Sequence, residues 1–117
     1  MTDLQAALAT LALQRNGIIN AIVRDTASAF GIEPEAILSR DRHKSVSEAR
    51  ALVCFVARRC TRMSFPEIAR ALNLDQSSVN YAVKRVEALR VRDEWFASAA
   101  TVLLESFGKI EEEERTQ

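Results

Sequence analysis

Asp75-Gln76-Ser77-Ser78 stand at the start of an apolar helical repeat. The amide of Gln and the hydroxyl of Ser each donate and accept, which matches the polar edges of nucleic-acid bases. Lys84 and Arg85 follow along the same stretch, where cationic side chains can reach phosphates. Upstream lies Ser39-Arg40-Asp41-Arg42-His43-Lys44, a polar run with three cations. Base edges at one place and phosphates at another are the chemistry these residues supply. Other chemistries are poorly supplied. His43 is the single His, so a Cys–His or Ser–His pair would need a side chain in the basic run. No Cys/His cluster has zinc spacing. No Gly-x-x-x-x-Gly-Lys-Ser/Thr occurs, and there are only three Gly. The expectation is therefore no catalysis, no metal and no nucleotide or other cofactor.

The charge distribution supports a polyanion partner. Net charge is zero, which conceals an uneven chain. Residues 40–92 hold twelve basic and five acidic side chains, a net +7, between flanks of −2 and −5. A basic centre is the footprint of a nucleic-acid surface; the plain alternative is that these cations only solvate helices. Hydrophobic residues make up 48% and charged residues 27%, the balance of a globular domain rather than a disordered tail. No apolar run approaches 18 residues, and Asp3 stands where a signal peptide would carry Lys or Arg. The chain reads as cytoplasmic and nucleoid-associated. Cys54 and Cys60 are too few for a disulfide scaffold, and six residues apart on a helix they point in different directions.

The elements that must position these groups are helices. Leu4, Leu8, Leu11, Ile18 and Ile22 share one helical stripe, with a break near Asn16-Gly17 and Asn16 as a cap. The second of these helices ends near Phe30, with Gly31 at its C′ position. Pro34 opens a short helix to Leu38. Ser45 and Glu48 read as a capping box for a broadly apolar, central helix through Cys60. Ser64 and Glu67 read as a second box, opening Phe65 to Leu72. Asn73-Leu74 makes a tight turn, and Asp75 caps a helix with Val79, Ala82, Val83, Val86 and Leu89 on its inner side. A last helix from about Asp93 carries Trp95 and Phe96, both expected to be mainly core, and stops at Gly108. No strand-like alternation of useful length is present. The fold class is all-α, with about five to six helices. The two helices around Asn73-Leu74 form a helix-turn-helix candidate, the first bracing the second. Residues 1–108 make one helical domain. Residues 109–117, with four consecutive Glu, are expected to be a disordered acidic tail.

Residues 17–90 resemble the C-terminal DNA-binding domain (domain IV, TrpR-like) of the bacterial replication initiator family DnaA. The resemblance runs through Phe30-Gly31-Ile32, Ser39 to Val46, Ala49-Arg50, Val56-Ala57-Arg58 and Thr61. It continues through Ser64-Phe65-Pro66-Glu67-Ile68-Ala69, Asp75-Gln76-Ser77-Ser78-Val79 and Ala82-Val83-Lys84-Arg85-Val86. What it implies is specific. Arg42, with Arg40 and Lys44 beside it, takes the place of the cation that enters a minor groove. Arg50, Arg58, Thr61, Ser64, Lys84 and Arg85 fall at phosphate-contacting positions. The family's base-reading signature Gly-Gly-Arg-Asp-His-Ser/Thr-Thr-Val has Asn73-Leu74-Asp75-Gln76-Ser77-Ser78-Val79 as its counterpart, which assigns base reading to Asp75, Gln76, Ser77 and Ser78. Here the turn is one residue shorter, the Arg is lacking and Gln76 stands for the His. Fold and general DNA binding carry over, whereas the family's target sequence does not, because Gln favours a bidentate adenine contact. Asp41 also weakens the positive field of the loop.

The expected function is sequence-specific binding of double-stranded DNA by a small regulator of transcription or replication initiation without ATPase activity. The competing function is a protein-interaction module that keeps the fold but not the DNA surface. The extra N-terminal and C-terminal helices are expected to pack on the core; otherwise they form a homodimer, which would impose a half-site spacing. A membrane partner is not expected.

Overall fold

The computed structural model describes residues 17–108, together with Asp3, Leu4 and Ala7. Among the described residues from Gly17 onward, every regular element is an α-helix: α1 (Gly17–Phe30), α2 (Pro34–Leu38), α3 (Lys44–Cys60), α4 (Phe65–Leu72), α5 (Gln76–Arg92) and α6 (Glu94–Phe107). Most of the expected Leu4, Leu8, Leu11 stripe and the whole of 109–117 lie outside the described residues, and Leu4 is exposed.

The architecture is a set of helices around α3, which touches each of the other five. The wide apolar arc of α3 explains this: Leu52, Val53, Cys54, Phe55, Val56 and Ala57 in succession are fully buried. Six consecutive residues span more than one turn, so no side of that stretch faces water. Arg59 and Arg90 lay their guanidinium groups over the Phe55 ring, 4.8 and 5.2 Å from its centroid. Their stems thereby shield the core while their charges stay near solvent. Both cysteines are buried thiols. Burial pushes the Cys54 pKa up to about 12, so this thiol stays protonated and is no nucleophile at neutral pH.

Helix ends follow local chemistry. Gly31 at φ +67° terminates α1 and Gly108 at φ +69° terminates α6, left-handed positions where a Cβ would be strained. Ser64 and Glu67 form the expected reciprocal capping box, and Pro34 and Pro66 sit in first turns. The Ser45–Glu48 box does not form. The helix starts at Lys44 with His43 as its N-cap, which leaves Ser45 inside the first turn and exposed. Glu48 instead turns inward, with Oε2 3.9 Å from Arg85 Nη2. Asp75 is the N-cap of α5 by backbone conformation, without a side-chain hydrogen bond.

Trp95 and Phe96 part company. Adjacent helical residues point about 100° apart, so one ring on this narrow face enters the core and the other cannot follow. Phe96 is fully buried, whereas Trp95 is 52% exposed and packs edge-to-face with Phe30, at 4.9 Å between centroids. Burial of both rings does not hold.

Candidate nucleic-acid interface

Two chain segments meet at one cleft. The first is the loop between α2 and α3; the second is the turn between α4 and α5. The cleft holds about 270 Å³ and is lined by Ser39, Arg40, Arg42 and Arg50 on one side and Asn73, Leu74, Asp75 and Ser78 on the other, with Leu38 behind. A second hollow of about 180 Å³ continues along α5, past Ser47, Ser78, Tyr81 and Arg85.

The turn is set by backbone geometry. Asn73 adopts the left-handed conformation, φ 58° and ψ 47°, which Asn tolerates better than most residues. The Leu74 N–H then donates to the Ala69 carbonyl at 2.8 Å, closing the end of α4. Leu74 packs against the core and fixes the angle at which α5 leaves. Val79, Ala82, Val86 and Leu89 hold α5 from beneath. As a result Asp75, Gln76, Ser77 and Ser78 are all exposed, on the first turn of α5 and its N-cap. Tyr81, one turn on, is 68% exposed.

The loop is set by side chains. Ser39 Oγ donates to the Ala36 carbonyl at 2.7 Å and accepts from the Asp41 N–H at 3.1 Å. Asp41 Oδ1 accepts from the His43 N–H at 2.9 Å and pairs with the His43 ring. Those bonds hold the Asp41 carboxyl below its ordinary range, the backbone bond most, and Asp41 in turn raises His43. Arg40, Arg42 and Lys44 remain exposed.

The remaining cations and hydroxyls are placed as follows. Arg50 is half-buried and donates to carbonyls of α2 and of the loop: Nε to Ile37 at 2.7 Å, and Nη2 to Ser39, Ala36 and Asp41 at 2.8, 3.1 and 3.2 Å. Arg58 lies over the Phe65 ring at 4.6 Å and donates to the Met63 carbonyl at 3.2 Å. Thr61 is buried; its hydroxyl donates to Ala57 at 2.6 Å and accepts from the Met63 N–H at 3.0 Å. Ser64 Oγ accepts from the Glu67 N–H, and the returning bond to Glu67 lowers that carboxyl. Arg85 donates to Ser47 Oγ at 2.8 Å, tying α5 to α3. Lys84 projects from α5 exposed. Sequence reasoning missed Ser47 and the inward Glu48 as partners of Arg85, and it missed the carbonyl contacts of Arg50. Nothing in residue type or spacing distinguishes a cation that holds carbonyls from one that faces solvent.

Among the described residues, no group of three His, Cys, Asp or Glu is placed to hold a metal, and no helix is long and apolar enough to cross a membrane.

Comparison with known proteins addresses the same stretch. The chain is 34% identical over 76 residues to the chromosomal replication initiator protein DnaA of Caulobacter vibrioides, covering 64% of this chain and 16% of that protein. With DnaA of Thermus thermophilus it is 36% identical over 73 residues, 62% of this chain and 17% of the relative. DnaA of Nautilia profundicola is 38% identical over 64 residues, 54% of this chain and 15% of the relative. The chain thus spans about a sixth of the length of these relatives, and the shared part is a helix-turn-helix. The sequence model described as the bacterial dnaA protein helix-turn-helix matches residues 19–86, which is α1 through most of α5, and the chain belongs to that family.

Proposed function

We propose that this chain binds double-stranded DNA sequence-specifically, with the first turn of α5 in the major groove and the Arg42 loop in the adjoining minor groove. One observation carries the reading: Arg40 and Arg42 line the same cleft as Asp75 and Ser78. A groove reader and a base reader on one rigid face can engage neighbouring parts of one site. In this reading Gln76, Ser77 and Ser78 meet base edges, and Lys84 meets a phosphate. The protein acts by occupying sites, as a small regulator of transcription or replication initiation, without ATP hydrolysis.

Selection from random duplexes tests this directly. A defined preferred site is expected, and affinity should fall with rising salt as counterion release requires. Lys84→Ala should weaken preferred and random duplexes alike and lower the logarithmic salt slope by about 0.9. No binding to any duplex at low salt would sink the reading.

The exposed Trp95 favours a second reading, a protein-interaction module or homodimer. A groove of about 440 Å³ between α1 and α6 is bordered by Trp95, Val102 and Ala29. Trp95 is the single Trp. Its emission should shift to the blue with protein concentration if a second copy covers the groove, and stay constant if the chain is monomeric.

A further inference from the structure

We infer that Arg50 is the residue that holds the Arg42 loop in its groove-reading shape, and that it acts through Arg42 rather than by touching a phosphate itself. This inference rests on the DNA-binding reading for its consequence, but not for its geometry.

The geometry is a clamp. One guanidinium reaches four carbonyl oxygens: Ala36 and Ile37 at the end of α2, then Ser39 and Asp41 in the loop. Arg50 itself sits on α3, the helix at the centre of the fold. It therefore ties the loop at both its first and its middle residues to the most buried element of the molecule. The need is physical. The last carbonyls of a helix have no partner within it, and α2 is only five residues long, so they bond outside it: the Ala36 carbonyl accepts from the Ser39 N–H and hydroxyl as well as from Arg50, and the Ile37 carbonyl from Arg50 Nε. A cation at a helix C-terminus satisfies them and complements the dipole. A planar guanidinium spreads its donors over separate nitrogens in a fixed fork, Nε to Ile37 and Nη2 to the others, whereas an ammonium gathers its three donors on one mobile nitrogen. Burial lowers the Arg50 pKa from its ordinary value, yet a guanidinium remains charged at neutral pH.

The consequence concerns Arg42. The carbonyl of Asp41 lies in the residue immediately before Arg42, and Arg50 Nη2 holds it at 3.2 Å. Fixing that peptide fixes where the exposed Arg42 leaves the backbone. Without the clamp, Arg42 keeps its charge but must be ordered on binding, and that ordering opposes affinity.

A double-mutant cycle separates this from a phosphate contact. On duplexes with A·T flanks, Arg42→Ala and Arg50→Ala should each weaken binding on the order of tenfold, about 1.4 kcal/mol. In the Arg42→Ala background, Arg50→Ala should add little, because the residue it positions is gone. Flank preference should collapse in both single variants while discrimination within the core site persists. Full additivity, with equal loss on A·T and G·C flanks, would identify a direct phosphate contact and overturn the inference. Limited trypsin digestion gives a readout without DNA. Cleavage after Arg40 and Arg42 should accelerate several-fold in Arg50→Ala at a temperature where its helical signal matches the parent. Unchanged cleavage there would overturn the clamp even if no duplex binds at all, an outcome that would separately defeat the DNA reading. Should Arg50→Ala melt too low for comparison, Arg50→Lys serves. It keeps the charge and loses the fork, so it should still show faster cleavage and reduced flank preference.

Discussion

The loop before α3 and the turn before α5 face each other across one cleft and are held in opposite ways. Side chains hold the loop: Ser39, Asp41 and above all Arg50 bond to an otherwise exposed backbone. The turn is held by its own main chain and by apolar packing, through the left-handed Asn73 and the buried anchorage of Leu72 and Val79. The difference matters for recognition. A base-reading helix must keep its register, so its position is tied to the stability of the whole fold. A groove-reading loop can be rebuilt by changing a few polar residues without disturbing that helix. If the proposed DNA-binding role holds, the loop and the helix can therefore vary independently.

The largest effect that could break this comparison lies beneath the turn. Ile68 is fully buried on α4. Ile68→Ala should cost ~2–5 kcal/mol of unfolding free energy in urea titration. The loss should appear as one cooperative transition, because α4 and α5 share the core with α3. Arg42→Ala, at an exposed loop position, should leave the same transition unmoved. If Ile68→Ala instead frees α4 and α5 in a separate early step, the reading helix is not tied to the fold as argued.

Next in size are the binding effects. Gln76→Ala should cost roughly 1–3 kcal/mol on the preferred site and relax choice at about one base pair, with little change in salt dependence. Arg42→Ala should matter most where an A·T tract narrows the minor groove, because that groove concentrates negative potential. Competition between duplexes that differ only in core or only in flank checks both. Equal losses on all four duplexes for either variant would show that the two halves do not read separately.

A smaller effect sharpens the point at Asn73. Its φ of 58° costs a residue with a Cβ more than it costs Gly. Asn73→Ala should therefore lower stability by about 1 kcal/mol, and Asn73→Gly by less. Thermal melts of both variants decide it, and the reverse order would place the main role of Asn73 in its side chain rather than in its backbone.

What could be read from the sequence follows the same division. The helices were legible because buried apolar residues recur at helical spacing, and the Ser64 box, Gly31, Gly108 and Asp93 mark ends by local rules alone. The turn at Asn73-Leu74 was legible for the same reason. Ser45 misled because Ser-x-x-Glu is a local pattern, while α3 starts at Lys44, before Ser45, with His43 as its N-cap and Glu48 drawn toward Arg85. Trp95 misled because apolar type does not say which of two adjacent rings faces inward. The clamp itself could not be read, since its bonds join Arg50 to residues 9 to 14 positions earlier through main-chain oxygens common to every residue.

The smallest effect concerns pH. Asp41 and His43 form an exposed pair within the loop. The side-chain bond to Asp41 raises the His43 pKa above the ordinary 6.5, so the folded chain holds that proton more tightly than the unfolded one. The contribution of His43 is then complete below about 6.5 and disappears as pH rises through its raised value. Asp41 works the other way. Its pKa is held below the ordinary 3.8, so its contribution is complete above that value and is lost as pH falls through the lowered one. The loop should be best held between these limits, and loosen as pH rises through the raised His43 value and the ring loses its charge. Both groups face water, so the change in stability should be slight and should shrink with salt. Nuclear magnetic resonance titration of the single His reads it cleanly. His43 should titrate above 6.5 in the unmodified chain and return toward 6.5 in Asp41→Asn, with the Asp41 and His43 amides exchanging faster at the high-pH end. An ordinary titration in the unmodified chain would mean that the pair does not order the loop, and would leave Arg50 as its sole restraint besides Ser39.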